Sequence, residues 1–202
     1  MSETLTSVSQ EDELRANAYA LLGVLLAGTP NRELLDRLKA IEVGEDQQDT
    51  GMAAAWKTLA MAAGRTTPES VDDEYHALFI GIGRGEVMPY GSWYLTGFLM
   101  ERPLAQLRQD LKMLGFERRE EVKEPEDHAG ALMETMAMMI VDDRGFGAHE
   151  QKQFFDRHLE PWIGKFFGDL QNASSANFYS AVGVLGSQFI EVEKQYLAML
   201  PH

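Results

Sequence analysis

The sequence predicts an all-α fold, a compact multi-helix bundle of roughly eight to ten helices, and three observations carry that reading. Apolar residues recur at spacings of three and four, most plainly at Phe178, Val182, Leu185, Phe189, Val192 and Tyr196. Cap and stop signals punctuate this pattern at regular intervals. No segment alternates apolar and polar residues long enough to read as a strand.

The elements follow in order. Ser9 caps a first helix whose first turn carries Glu11, Asp12 and Glu13, where the helix dipole favours anions. Leu14, Ala18, Leu21, Leu22 and Leu25 share its inward face, and Gly28 ends it. Thr29-Pro30 is expected to open a second helix with Leu34, Leu35, Leu38 and Ile41 inward. The acidic stretch from Glu42 to Gly51 reads as a loop. A third helix covers Met52 to Ala63, with Trp56 inward, and Thr67-Pro68 opens a fourth carrying Val71, Tyr75, Leu78 and Phe79.

Further along, Ser92 is expected to cap a segment from Trp93 to about Met100, and Pro103 to open a helix with Leu104, Leu107, Leu111 and Leu114 inward. Gly115 stands at the C′ position of that helix. The charged run from Phe116 to Glu124 is a connector and a candidate hinge between N- and C-terminal parts of a single domain, residues 1–202. Glu124 as N-cap and Pro125 at the first helical position are expected to start a long helix through His128, Leu132, Met136 and Met139. "RGFG" breaks it, a helix or pair runs from His149 to Leu170 around Pro161, and the periodic segment from Phe178 closes the chain.

Composition excludes several classes. The 202 residues include no cysteine, so disulfides, thiolate nucleophiles and cysteine-held metals are out. A formal charge of −14 opposes nucleic-acid and anionic-lipid partners and favours cationic ones. The first residues carry acids where an export signal carries bases, and no apolar run reaches the ~18 residues of a membrane span. A cytoplasmic protein without stable membrane insertion is expected.

The stretch "FIGIGRGEVMPYGSWYL", Phe79 to Leu95, raises the question of a phosphate cradle. The residues before it have helical spacing, whereas a dinucleotide fingerprint follows a strand, and no Walker lysine motif occurs in the chain. Its glycines read better as a tight helix exit, with Pro89, Tyr90, Trp93 and Tyr94 forming a rigid aromatic turn beyond it. None of the five histidines stands in a zinc spacing, and Ser92 lacks the flanks of a nucleophile elbow. In "KEPEDHAG", Lys123 to Gly130, a helix start favours an anion and disfavours a histidine cation. Asp127 and His128 are adjacent, so their side chains diverge by about 100° on a helix and form no dyad.

Taken together, "EYHALFIGIGRGEVMPYGSWYL", "EPEDHAGALMETMAMM" and "FFDRHLEPWIGKFFGDLQ" resemble the TorD/DmsD family of molybdoenzyme maturation chaperones in order and spacing. The resemblance covers about residues 70 to 197. It implies an all-α cytoplasmic protein that is not an enzyme. Such a protein binds the twin-arginine leader of a molybdopterin oxidoreductase and assists cofactor insertion into its catalytic subunit before export. It implies no resident cofactor, weak guanine-nucleotide binding in some members, and a monomer that can form a domain-swapped dimer.

Carried over to this chain, the leader-binding positions are Pro89, Tyr90, Ser92, Trp93, Glu124, Pro125, Asp127 and His128, with Tyr75 and Phe79 on the preceding helix. Asp127 is expected at a groove edge facing the leader's arginines, and His128 beside it. The turn reads Met88-Pro89-Tyr90 where some relatives have a double proline and tryptophan. Two other classes stay open at this point: a guanine-nucleotide-hydrolysing helical enzyme, and an assembly subunit of a reductase complex.

Overall fold

A computed structural model describes residues 9–44, 50–81, 83–118, 123–142 and 145–199. Among them the chain forms ten α-helices. The first four are α1 (Gln10–Ala27), α2 (Arg32–Lys39), α3 (Gly51–Ala63) and α4 (Pro68–Tyr75), and α4 runs on into a π-helical turn, His76–Ile80. Then follow α5 (Gly91–Thr96), α6 (Arg102–Met113), α7 (Ala129–Val141), α8 (Ala148–His158), α9 (Ile163–Asn172) and α10 (Phe178–Met199). No strand occurs among the described residues, and the one isolated β-bridge joins Tyr90 to His128.

Two long helices organise the core. α1 lies along α7, and their backbones approach closely where Gly23 meets Gly130. A Cβ on Gly130 would stand 3.1 Å from the Gly23 carbonyl oxygen and from the Ala27 nitrogen. α10 packs against α9, α3, α4 and α1. Tyr19, Leu22 and Leu25 of α1, Met133 and Met136 of α7, Phe166 and Phe167 of α9, and Phe178 through Phe189 along α10 fill the space between them. At the far end of α1 a buried ion pair replaces apolar packing. Arg15 donates to Glu193 at 2.6 Å and 3.0 Å, to Asp12 at 2.7 Å and to Gln151 at 3.1 Å, tying α1 to α10 and α8.

Where the signal is local, the elements stand as expected. Ser9 accepts the Asp12 N–H, Thr67 accepts the Ser70 N–H with Pro68 opening α4, and Gly115 follows α6 at φ 75°. Four expectations need correction. Thr29-Pro30 does not open α2; Asn31 caps it through the Leu34 N–H, because its side chain satisfies a donor that Thr29-Pro30 leaves open. α7 starts at Ala129 with His128 as N-cap, so Glu124 and Pro125 precede the helix, and the Pro125 carbonyl accepts the His128 N–H in a turn. Ser92 lies inside α5, whose cap position is Tyr90, and α5 ends at the left-handed Gly97 (φ 81°), well short of Met100. Leu14 and Val192, placed inward by periodicity, are 65% and 47% exposed, because Arg15 and Glu193 occupy the interior at that end. The proposed hinge falls partly on residues 119–122, outside the described residues, as does Arg144 of "RGFG".

Candidate functional site

The glycine stretch folds straight back on the π-helical turn. Gly81 (φ 59°) donates to the His76 carbonyl at 2.7 Å, and Val87 donates to Leu78 at 2.8 Å. A Cβ on Gly81 would lie 2.1 Å from the Arg84 carbonyl oxygen, so only glycine fits. These bonds turn the N–H groups of Gly81 and Val87 back onto the helix end, which makes the stretch a bend. Glu86 fixes the far side of the bend by accepting the N–H groups of Ser174 and Ser175.

The bend delivers Pro89–Ser92 against residues 127–129, more than thirty positions later in sequence. Gly91 donates to the Asp127 carbonyl at 2.9 Å, and Ala129 donates to the Pro89 carbonyl at 2.8 Å. Between them, Asp127 Oδ2 accepts the Ser92 N–H at 2.8 Å. Asp127 therefore supplies the N-terminal cap of α5 from another segment. It is 3% exposed, not at an open edge, which corrects the expected groove-edge position. The turn and the Glu-Pro-Glu-Asp-His segment need a buried carboxylate to lock them together. Asp127 Oδ1 has no hydrogen-bond partner among the described residues. Asp127 also lines a small cavity of about 80 Å³ with Gln106, Arg157, His158 and Trp162.

His128 is 5% exposed, and its Nδ1 accepts the Gly130 N–H at 3.1 Å, so the neutral ring carries its proton on Nε2. Burial pushes this imidazole below its ordinary value, while the Glu124 and Asp127 charges pull the other way. The Tyr90 ring meets His128 edge-on at 5.3 Å, and the Tyr90 hydroxyl donates to the Glu124 carboxylate. Burial first, then the bond and charge of Glu124, push the Tyr90 phenol up. Tyr75 feels the same carboxylate, donates to the Leu26 carbonyl at 3.2 Å, and packs with Phe79 and Tyr179.

The predicted residues thus form one constellation with two kinds of member. Pro89, Ser92, Asp127 and His128 are buried and set the backbone; Tyr75, Phe79, Tyr90, Trp93 and Pro125 are half-buried; Glu124 is exposed. The Arg84 guanidinium lies over the Trp93 ring at 4.5 Å, so that ring already presents a face to a guanidinium.

Sequence reasoning missed three features. Buried Glu74 accepts the N–H groups of Asn177, Phe178 and Tyr179 and so caps α10 from α4. Arg84 covers Trp93. Beyond Gly97, Phe98 (68%) and Met100 (72%) form an exposed apolar tip that the sequence reading placed in the segment capped by Ser92. Nothing local marks the first two; the glycine at position 97 marks the third. Among the described residues no cluster of three or more His, Asp or Glu side chains could hold a metal, and no helix is long and apolar enough to cross a membrane.

Comparison with known proteins agrees with this architecture. The family model described as nitrate reductase delta subunit matches residues 45–168. The chaperone protein TorD of Vibrio atlanticus is 26% identical, over 93% of this chain and 96% of its own. The Tat proofreading chaperone DmsD of Salmonella typhimurium is 29% identical, over 90% of this chain and 89% of its own. A crystal structure of a putative redox enzyme maturation protein from Archaeoglobus fulgidus shares the fold, with TM-score 0.58 and 17% identity over 94% of this chain and 99% of that one. Matched by the family model over more than half its length, and homologous across most of it to TorD and DmsD chaperones, this chain belongs to the nitrate reductase delta subunit family.

Proposed function

We propose that the protein is a chaperone for the maturation of a molybdoenzyme, acting by binding and not by catalysis. Its ligand is the twin-arginine leader of the enzyme's catalytic subunit. Homology to TorD and DmsD chaperones over nine-tenths of the chain or more supports the class. The observation that carries the site is the locking of the Pro89–Ser92 turn onto residues 127–129, which holds Glu124, Tyr90 and Trp93 on a rigid frame.

The frame suits a basic peptide. Glu124 is exposed and oriented by the Tyr90 hydroxyl, so its carboxylate can accept a guanidinium at the surface. Trp93 offers a ring face to a second guanidinium once Arg84 moves aside. The net charge of −14 speeds encounter with a cationic partner. Asp127 and His128 act as positioning residues: they hold the turn and do not themselves meet the leader. We extend the proposal to a cytoplasmic monomer able to exchange helices across residues 116–124.

Calorimetric titration with a synthetic twin-arginine leader tests the reading. Saturable binding that weakens when both arginines are replaced by glutamine supports it. Indifference to that replacement rejects it.

A further inference from the structure

Two exposed carboxylates on different elements are held in the same way by α5. Tyr90, at the N-cap of α5, donates its hydroxyl to Glu124 Oε2. Tyr94 donates to Asp169 Oδ2 of α9 at 3.0 Å. The Tyr94 N–H in turn donates to the Tyr90 carbonyl at 3.3 Å, so the two phenols are mounted one helical turn apart. Among the described residues no other tyrosine donates to an exposed carboxylate, since Tyr75 and Tyr179 give their hydroxyls to the Leu26 and Leu25 carbonyls. Each carboxylate spends one oxygen in this way. Glu124 Oε1 and Asp169 Oδ1 make no hydrogen bond among the described residues and stay open to a donor.

Tyr94 is a rigid mount. Its ring stacks on buried Trp162 at 5.4 Å and meets Phe166 edge-on at 6.2 Å. Burial first, then the charge and bond of Asp169, push the phenol up, so it stays a donor. Asp169 is thereby aimed although it is exposed. A cation of the chain already rests there: Lys165 donates to Asp169 Oδ2 at 2.8 Å and stands 5.0 Å from the Tyr94 ring centroid. That pair is weak, because Lys165 is 70% exposed and the base precedes the acid along the helix, the poorer orientation. A guanidinium can displace it, being less strongly hydrated and able to fork onto a carboxylate that an ammonium meets as a point charge. The arrangement repeats that of Arg84 over Trp93, where a basic side chain of the protein also covers an aromatic ring of α5.

We infer that Asp169, aimed by Tyr94, is the carboxylate for the second arginine of the leader, and the inference rests on the function proposed above. Glu124 answers one arginine. Trp93 offers the other a ring face but no opposite charge, and Asp169 supplies that charge. Consecutive arginines in an extended chain have Cα atoms about 3.8 Å apart and side chains on opposite faces. Two carboxylates supplied by two elements, their phenols about 6 Å apart along α5, suit such a pair. A single carboxylate would demand one arginine; two separately mounted ones demand both. A lysine at either place would forfeit the forked contact, so the site prefers arginine.

Calorimetric titration of the full chain with three synthetic leaders tests this: the twin-arginine leader and two copies in which the first or the second arginine is glutamine. Each replacement should weaken binding to the parent. Asp169→Asn alters an exposed position, so it should keep the parental circular dichroism, and it should weaken the twin-arginine leader about three- to ten-fold, as rim charges do. It should also lose its sensitivity to one arginine and keep it for the other, with Glu124→Gln showing the reverse. Lys165→Gln, which frees Asp169, should tighten binding about two- to five-fold. Asp36→Asn, which removes an exposed acid on α2, should bind like the parent. Several results would overturn the inference while leaving the proposed function standing: parental affinity in Asp169→Asn, its continued sensitivity to both arginines, loss of the same arginine in Asp169→Asn and Glu124→Gln, no tightening in Lys165→Gln, or equal weakening by Asp36→Asn. If the parent is indifferent to both arginines, the function and the inference both fall.

Discussion

The Asp127 carboxylate caps a helix thirty-five positions away from it: Oδ2 accepts the Ser92 N–H at 2.8 Å, inside a backbone bridge between Tyr90 and His128. The acidic residue of the Asp-His pair is therefore a structural lock. Removing it leaves the buried Ser92 N–H without an acceptor, a loss of about 2 kcal/mol. Asp127→Ala should lower the urea midpoint accordingly, and Asp127→Asn, which keeps an oxygen acceptor, should recover part of it. An unchanged midpoint in Asp127→Ala would show that the cap contributes nothing.

Leader recognition is then expected at Glu124 and Trp93. Glu124 is exposed, so Glu124→Gln should weaken a twin-arginine leader by roughly three- to ten-fold, as rim charges do. Its effect should shrink between low and high salt, because screening removes the charge contribution from the parent. Trp93→Ala should weaken binding with less change in that salt dependence. Titrations of both variants at two ionic strengths decide this, and equal salt slopes for parent and Glu124→Gln would remove Glu124 from the site.

Arg84 competes for the same ring. Its guanidinium covers Trp93 at 4.5 Å, a contact worth about 0.5–1 kcal/mol at an exposed position. Arg84→Ala should tighten leader binding by roughly two- to five-fold, since the ring no longer needs uncovering. It also removes a surface cation that repels the leader. Weaker binding in Arg84→Ala would mean that Arg84 belongs to the site itself.

Glu74 plays for α10 the part that Asp127 plays for α5. It is 8% exposed and accepts three consecutive N–H groups at 2.6–3.1 Å. Glu74→Ala should cost about 2–3 kcal/mol in a denaturant melt, more than loss of a single cap. Glu74→Gln, which keeps one oxygen, should cost less. Equal midpoints for Glu74→Ala and the parent would reject the assignment.

These long-range caps explain what the sequence could and could not disclose. Ser9, Thr67 and Gly115 act on residues three positions away, so spacing alone reveals them. Proline misled at position 125, because Pro125 is compatible with a first helical turn and equally with the hydrogen-bonded turn to His128 that the chain adopts. His128, a less favoured cap type, took the N-cap role since its Nδ1 reaches the Gly130 N–H. Periodicity marked Leu14 and Val192 as apolar without knowing that Arg15 and Glu193 form an ion pair beneath them. The resemblance named residues that the fold brings together, but burial decides which of them a ligand can touch, and burial depends on partners distant in sequence.

His128 makes the fold sensitive to mild acid. Its folded value lies below the ordinary one because burial disfavours the imidazolium, and Glu124 and Asp127 only partly offset this. The unfolded chain therefore binds a proton first as pH falls below about 6.5. The stability held by neutral His128 is complete above that value. It is lost progressively as pH drops through it toward the lower folded value. Protonation also removes the Nδ1 acceptor that caps α7. Asparagine caps a helix without titrating, so His128→Asn should be nearly pH-independent at this position. The stability difference between parent and His128→Asn should shift in favour of the variant by up to about 1.4 kcal/mol per pH unit below 6.5. His158, also depressed by burial although Asp110 supports its charge, contributes the same slope to both proteins and cancels from the difference. Urea melts of the two proteins at pH 7.5 and 5.5 give that difference. A constant gap, or one that moves toward the parent, would mean that the folded site accepts the imidazolium at no cost.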